Sequence, residues 1–121
     1  MAKSLVASFD GSARTKKNVG AYSAVIWKPP EWTKLSAASR FLTGFPEHEG
    51  EYNKLLLDCK LLAKQTKGRV IICGVSNLVI RQMRGEIDCK APGLQLLRHK
   101  ALDQLRSWTV HEFLHIKRDW N

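Results

Sequence analysis

Apolar residues fall along this chain in two different periods. Residues 5–9, Leu5-Val6-Ala7-Ser8-Phe9, are a short apolar-rich run that predicts one strand. Asp10 ends it. Residues 10–20 carry Gly11, Asn18 and Gly20 with the basic Arg14, Lys16 and Lys17, and read as a turn and loop. Residues 21–27 predict a second strand. Pro29 and Pro30 stop it, since neither can donate to a ladder. Residues 32–41 predict a third strand, weakened by Ala37 and Ala38.

The period then changes. From Glu47 to Gln65, Tyr52, Leu55, Leu56, Cys59, Leu62 and Ala63 recur at helical spacing, with Glu51 in the first turn beside the stripe. Gly68 is placed to cap this helix. Residues 69–73, Arg69-Val70-Ile71-Ile72-Cys73, form a near-continuous apolar run, the pattern of a parallel strand covered on both faces. Gly74-Val75-Ser76 turns the chain into a short helix over 77–83, with Ser76 as its cap and Gly85 as its end. Ala91-Pro92-Gly93 breaks the chain again. Leu94, Leu97, Ala101, Leu105 and Trp108 then make the stripe of a third helix. Residues 110–117 alternate and predict a fifth strand.

The predicted order is β-β-β-α-β-α-α-β, an α/β fold. A single domain over 1–121 is expected, without linker, repeat or low-complexity segment. No helix is predicted after the last strand, so apolar surface near that strand is expected to be left for a partner or a further segment.

Composition adds three constraints. No run reaches the roughly 18 apolar residues of a membrane span, and the N-terminus lacks the apolar core of a secretion signal. Cys59, Cys73 and Cys89 are odd in number and match no paired metal spacing, which points to a reducing, intracellular compartment, nuclear or cytoplasmic. The net charge of +9 suits a polyanion such as nucleic acid, although charged faces are also simply solvated.

Against this basic background Asp10 and Glu51 stand out. Magnesium takes oxygen ligands in an octahedron, commonly from carboxylates, phosphates and water. Two such ions could activate water and stabilise a leaving oxygen of a phosphodiester. In the plainer reading Asp10 opens a turn with Gly11, and Glu51 complements a helix N-terminus.

The Asp10-Gly11-Ser12 opening, Asn18-Val19-Gly20, the helix start at Glu51-Tyr52, and Gly74-x-Ser76-Asn77-Leu78-Val79-Ile80-Arg81-Gln82 occur together in this order. In these motifs the chain resembles the ribonuclease H domain, in the reverse-transcriptase-like branch of retroelements and cellular hybrid-cleaving enzymes. The resemblance covers nearly the whole chain. It implies a five-stranded mixed sheet of order 3-2-1-4-5 with helices packed on it and the family's C-terminal helix absent. It implies two-metal hydrolysis of the RNA strand of an RNA–DNA hybrid by four carboxylates. Asp10 and Glu51 match the first and second, as catalytic and metal-binding residues. Val75 stands where the third is expected and offers no oxygen. The fourth is expected beyond Asn121, and Asp119 does not match it by position. Binding of Mg2+ or Mn2+ is therefore expected to be weak, and cleavage slow or absent.

The same resemblance places Ser12, Arg14, Lys16, Lys17 and Asn18 beside a phosphate backbone, and Arg81, Arg84 and Lys90 near the DNA strand. Such contacts fix position and carry no sequence code. Any one of these cations is as well a solvated surface charge. His48 and His115 match no family role, and Trp27, Trp32, Trp108 and Trp120 read first as core or edge aromatics. Three functions remain open: a metal-dependent nuclease, a hybrid-binding module without turnover, and an assembly domain of a larger retroelement-derived protein, self-associating or contacting its parent through the C-terminal edge.

Overall fold

A computed structural model of the chain describes residues 4–14, 19–43, 47–65, 68–74 and 76–116, with side chains placed except at 10–14, 19–21, 41–43, 47 and 48. Three strands open it: β1 (Ser4–Arg14), β2 (Val19–Lys28) and β3 (Thr33–Thr43). Then come α1 (Glu47–Leu62), β4 (Arg69–Gly74), α2 (Asn77–Met83), α3 (Pro92–Leu105) and β5 (Val110–His115). The strands form one sheet of order β3-β2-β1-β4-β5. The β1–β2 and β2–β3 pairs are antiparallel, and β4 is parallel to both β1 and β5. Element order and sheet order agree with the expectation from sequence.

One boundary differs in a way that matters. The expected loop over 10–20 is largely strand: β1 runs on through Asp10 to Arg14, paired residue by residue with 19–23 of β2. Polar and glycine residues there lowered the strand signal, but the long antiparallel ladder supplies their backbone partners. Asp10 is therefore inside the ladder, opposite Ser23, and does not end a strand. Likewise α1 begins at Glu47, so Glu51 lies one turn into the helix and not in its first turn.

Leu5, Ala7 and Phe9 of β1 are buried, whereas Val6 and Ser8 between them are half-buried, as alternation along a strand requires. The buried set joins Ala24 and Ile26 of β2, Val70 and Ile72 of β4, and the apolar sides of all three helices. Helix α1 is the centre of this core, touching β1, β2 and β3 on one side and α3 on another. It therefore buries Leu57, Asp58 and Leu61 as well as Tyr52, Leu55, Cys59 and Leu62, while Ala63, expected in the stripe, is exposed. Gly74 ends β4 against the Phe9 ring, and a side chain there would overlap that ring.

The short α2 is defined at both ends. The Ser76 hydroxyl accepts a hydrogen bond from the Val79 N–H at 3.4 Å. At the other end Gly85 takes a positive φ of 77°, the Gly85 N–H donates to the Gln82 carbonyl, and the Glu86 N–H donates to the Arg81 carbonyl. That is a Schellman closure, which glycine adopts without a Cβ penalty. The three cysteines are free thiols, with Cys59 and Cys73 buried and Cys89 half-buried.

Candidate nucleic-acid and metal site

Asp10 is carried by β1 and Glu51 by α1, two elements that pack on each other. The Glu51 side chain is largely buried, 17% exposed. Its Oε1 pairs with Lys54 Nζ at 2.7 Å, one helical turn on. Its Oε2 is buried without a hydrogen-bond partner among the described residues. A buried carboxylate oxygen left unsatisfied is costly, and an incoming cation or donor would relieve it. Among the described residues this is the feature that suits a metal ligand. The Asp10 carboxylate, the side chains of His48, Ser12 and Arg14, and all of Lys16, Lys17, Asn18, Val75, Asp119 and Trp120 lie outside the described set.

The donor set among the described residues does not complete a metal shell. Among the described residues no group of three or more His, Cys, Asp or Glu converges on one point. Lys54 already neutralises one Glu51 oxygen, and valine at 75 supplies none. Magnesium holds to near-ideal octahedral geometry with oxygen ligands. The described residues thus do not by themselves make a two-ion centre, and no reaction step is assigned to one.

The predicted basic residues around α2 are partly neutralised. Arg84 Nε lies 2.8 Å from Glu86 Oε2, and Arg81 Nε lies 3.8 Å from Glu86 Oε1, all three side chains being about half exposed. Gly85 makes this sharing possible, because the Schellman turn folds Glu86 back over the last turn of α2. Two cations share one carboxylate, which leaves the cluster net positive. Lys90 is exposed on the loop before α3.

A buried polar network behind this loop was not foreseen from the sequence. The Tyr52 hydroxyl of α1 donates to Gln82 Oε1 of α2 at 2.7 Å. Gln82 Nε2 donates to the Asp88 carbonyl at 3.3 Å, and Arg98 Nε of α3 donates to the Gln82 carbonyl at 2.9 Å. One glutamine thereby ties together three helices and the 84–91 loop. Burial, with Cys89 close by, pushes the Tyr52 phenol well above its ordinary range, so it remains a donor. Apolar periodicity could only show Tyr52 as core. A polar residue at 82, in phase with Val79 on the buried side of a short helix, was the available signal. A cleft of about 430 Å³ opens beside the network, lined by Asp88, Cys89, Gln95, Arg98 and His99 among others.

A five-stranded sheet of this order, with an antiparallel meander followed by parallel β4 and β5, is the ribonuclease H-like fold. The chain belongs to the reverse transcriptase-like family, which matches residues 8–121. Solved structures agree on the fold. The N-terminal RNase H domain of a Mycobacterium tuberculosis protein superposes with a TM-score of 0.89 at 23% identity, over 98% of this chain and 86% of that one. RNase H1 of the archaeon Halobacterium salinarum gives 0.85 at 21% identity, over 97% and 88%. LC11-RNase H1, solved in complex with RNA/DNA hybrid, gives 0.84 at 24% identity, again over 97% and 88%. No protein of curated function matches the sequence.

Proposed function

We propose that this domain binds RNA–DNA hybrid and cleaves it very slowly or not at all. The observation that carries the reading is the incomplete ligand set: Glu51 has one carboxylate oxygen with no partner among the described residues, and Val75 stands where the family motif expects a carboxylate. Asp10 and Glu51 are its residual ligands for magnesium or manganese, and they hold such an ion weakly. The net charge of +9 supports a polyanion partner. Ser12, Arg14, Lys16, Lys17 and Asn18 on one side, and Arg81, Arg84 and Lys90 on the other, are the proposed backbone contacts. Recognition would follow groove shape and 2′-hydroxyls, with no base code. A reducing intracellular compartment suits the three free thiols.

The test is incubation with an end-labelled hybrid in magnesium and in manganese, beside Asp10→Asn. Retained binding without cleavage by either protein is expected. Cleavage by the parent that disappears in Asp10→Asn would overturn the reading of Val75. A second reading, assembly through the β5 edge, is favoured by the exposed Val110 and Leu114 on that strand. A sedimentation equilibrium that shifts with concentration, together with absence of hybrid binding, would select it.

A further inference from the structure

The β2–β3 connection is a four-residue turn, 29–32, joining Lys28 to Thr33. Its last residue, Trp32, is 55% exposed and has a positive φ of 57°. Both facts run against local energetics. The left-handed region costs a non-glycine residue on the order of 1 kcal/mol, and glycine or asparagine is the ordinary occupant. An indole in water forgoes the burial that makes tryptophan favourable in a fold.

Trp27, five residues earlier, shows the contrast. Its Nε1 donates to Ser8 Oγ at 3.3 Å, and Lys34 Nζ lies 5.6 Å from its ring. Trp27 is a structural tryptophan. Trp32 makes no hydrogen bond, ring contact or cation contact among the described residues. Pro29 and Pro30 limit the freedom of the turn that presents it, because each ring fixes φ. Leu35, at the register shift between β2 and β3, is also exposed. Lys28 and Lys34 flank the turn, against the single acidic Glu31.

We propose that this hairpin tip is a second nucleic-acid contact, in which Trp32 stacks on an unpaired base and Lys28 and Lys34 meet the adjoining phosphates. An exposed aromatic ring set among cations is the arrangement that binds single strands without sequence preference. A fixed ring stacks on an unpaired base, whereas bases inside a duplex already stack on one another. The tip lies at the end of the sheet where β1, β4 and β5 begin. Asp10 pairs with Ser23, five residues before Lys28, so the separation is roughly 17 Å at about 3.4 Å per residue. A strand rising about 3.4 Å per nucleotide crosses that distance in about five nucleotides. The tip therefore takes the single-stranded flank of a hybrid held at the candidate site, and it engages a free single strand independently of that site.

The experiment is fluorescence anisotropy with three probes: a blunt RNA–DNA hybrid, the same hybrid with a single-stranded DNA tail of about ten nucleotides, and that tail alone. The tail is expected to tighten hybrid binding about fivefold or more. Trp32→Ala should abolish that gain and weaken binding of the free tail, while leaving the blunt hybrid unchanged. Trp32→Phe should keep most of the gain. Lys28→Ala with Lys34→Ala should flatten the salt dependence of tail binding. Trp32→Gly, which suits the backbone conformation, guards against a folding artefact: its Tm should equal or exceed that of the parent. A tail that adds nothing, or a gain that survives Trp32→Ala, would overturn the proposal, as would loss of self-association as the only effect of that variant. Failure of the blunt hybrid to bind would instead count against the proposed function, and binding of the free tail would still report on the tip.

Discussion

Asp58 is the residue the fold treats most harshly. It lies on α1 with no exposure, and neither carboxyl oxygen has a hydrogen-bond partner among the described residues. Burial raises its pKa well above the ordinary carboxylate range, so the folded protein holds it neutral. In the unfolded chain it ionises near the usual value of about 4. The folded state thus binds one more proton than the unfolded state above that pH. Its stability contribution is full below about pH 4 and is lost as pH rises towards the folded pKa, with a slope of up to about 1.4 kcal/mol per pH unit. Asp58→Asn is expected to remove this slope, and urea denaturation across pH 4 to 8 measures it. A parent slope retained in Asp58→Asn would refute the assignment. The thiols give a second expectation. Burial, with Asp58 nearby, pushes Cys59 up to about 12 and raises Cys73. A thiol reagent should titrate Cys89 in the native protein and all three cysteines only after denaturation. Asp58 lies outside the apolar stripe that helical periodicity marks on this helix, so its burial had no signal in the sequence. Burial of that side chain depends on the elements packed around α1, among them β4 through Cys73, and no local pattern carries that.

At the scale of elements, local chemistry made the fold legible where the signals were strong. The Pro29-Pro30 stop, the Tyr52–Leu62 stripe, the Ser76 cap and the Gly85 end each have a short-range cause, and the structure contains all four. The second half of β1 had no such cause, since its partner is the next strand and not its own sequence. The same dependence makes Gly74 a sensitive position. A methyl group there would overlap the Phe9 ring, which is buried between β1 and the helices and has little room to retreat. Gly74→Ala is expected to cost about 1–3 kcal/mol in thermal or urea unfolding. Phe9→Leu should relieve part of that loss in the double variant, because the two changes share one contact. Additive effects would show that the ring is not the obstacle. At the α1–α2 contact, Tyr52→Phe would leave Gln82 Oε1 buried without its donor, at a cost of about 1–3 kcal/mol.

For the whole molecule, the candidate site was legible in part. Glu51, singled out in the sequence, is a largely buried carboxylate whose Oε2 has no partner among the described residues, and the valine at 75 was readable from sequence alone. What sequence did not show is how the positive charge is spent. Arg81 and Arg84 share Glu86, Arg69 lies 3.9 Å from Glu112, and Arg106 lies 2.8 Å from Asp103. Such exposed pairs are worth little to stability, but each lowers the charge available to a phosphate backbone. A count of arginines therefore overstates the interface. If a hybrid draws on Arg81, Arg84 and Lys90, Glu86→Gln frees two guanidinium groups at once without adding a cation. Glu86→Gln is expected to tighten hybrid binding severalfold at low salt and to steepen the dependence of log K on log salt by about one unit, since each phosphate neutralised contributes roughly that much. Titrations over a salt series measure both quantities. An affinity and slope unchanged in Glu86→Gln would move the hybrid off this face of α2 and onto the loop that follows β1.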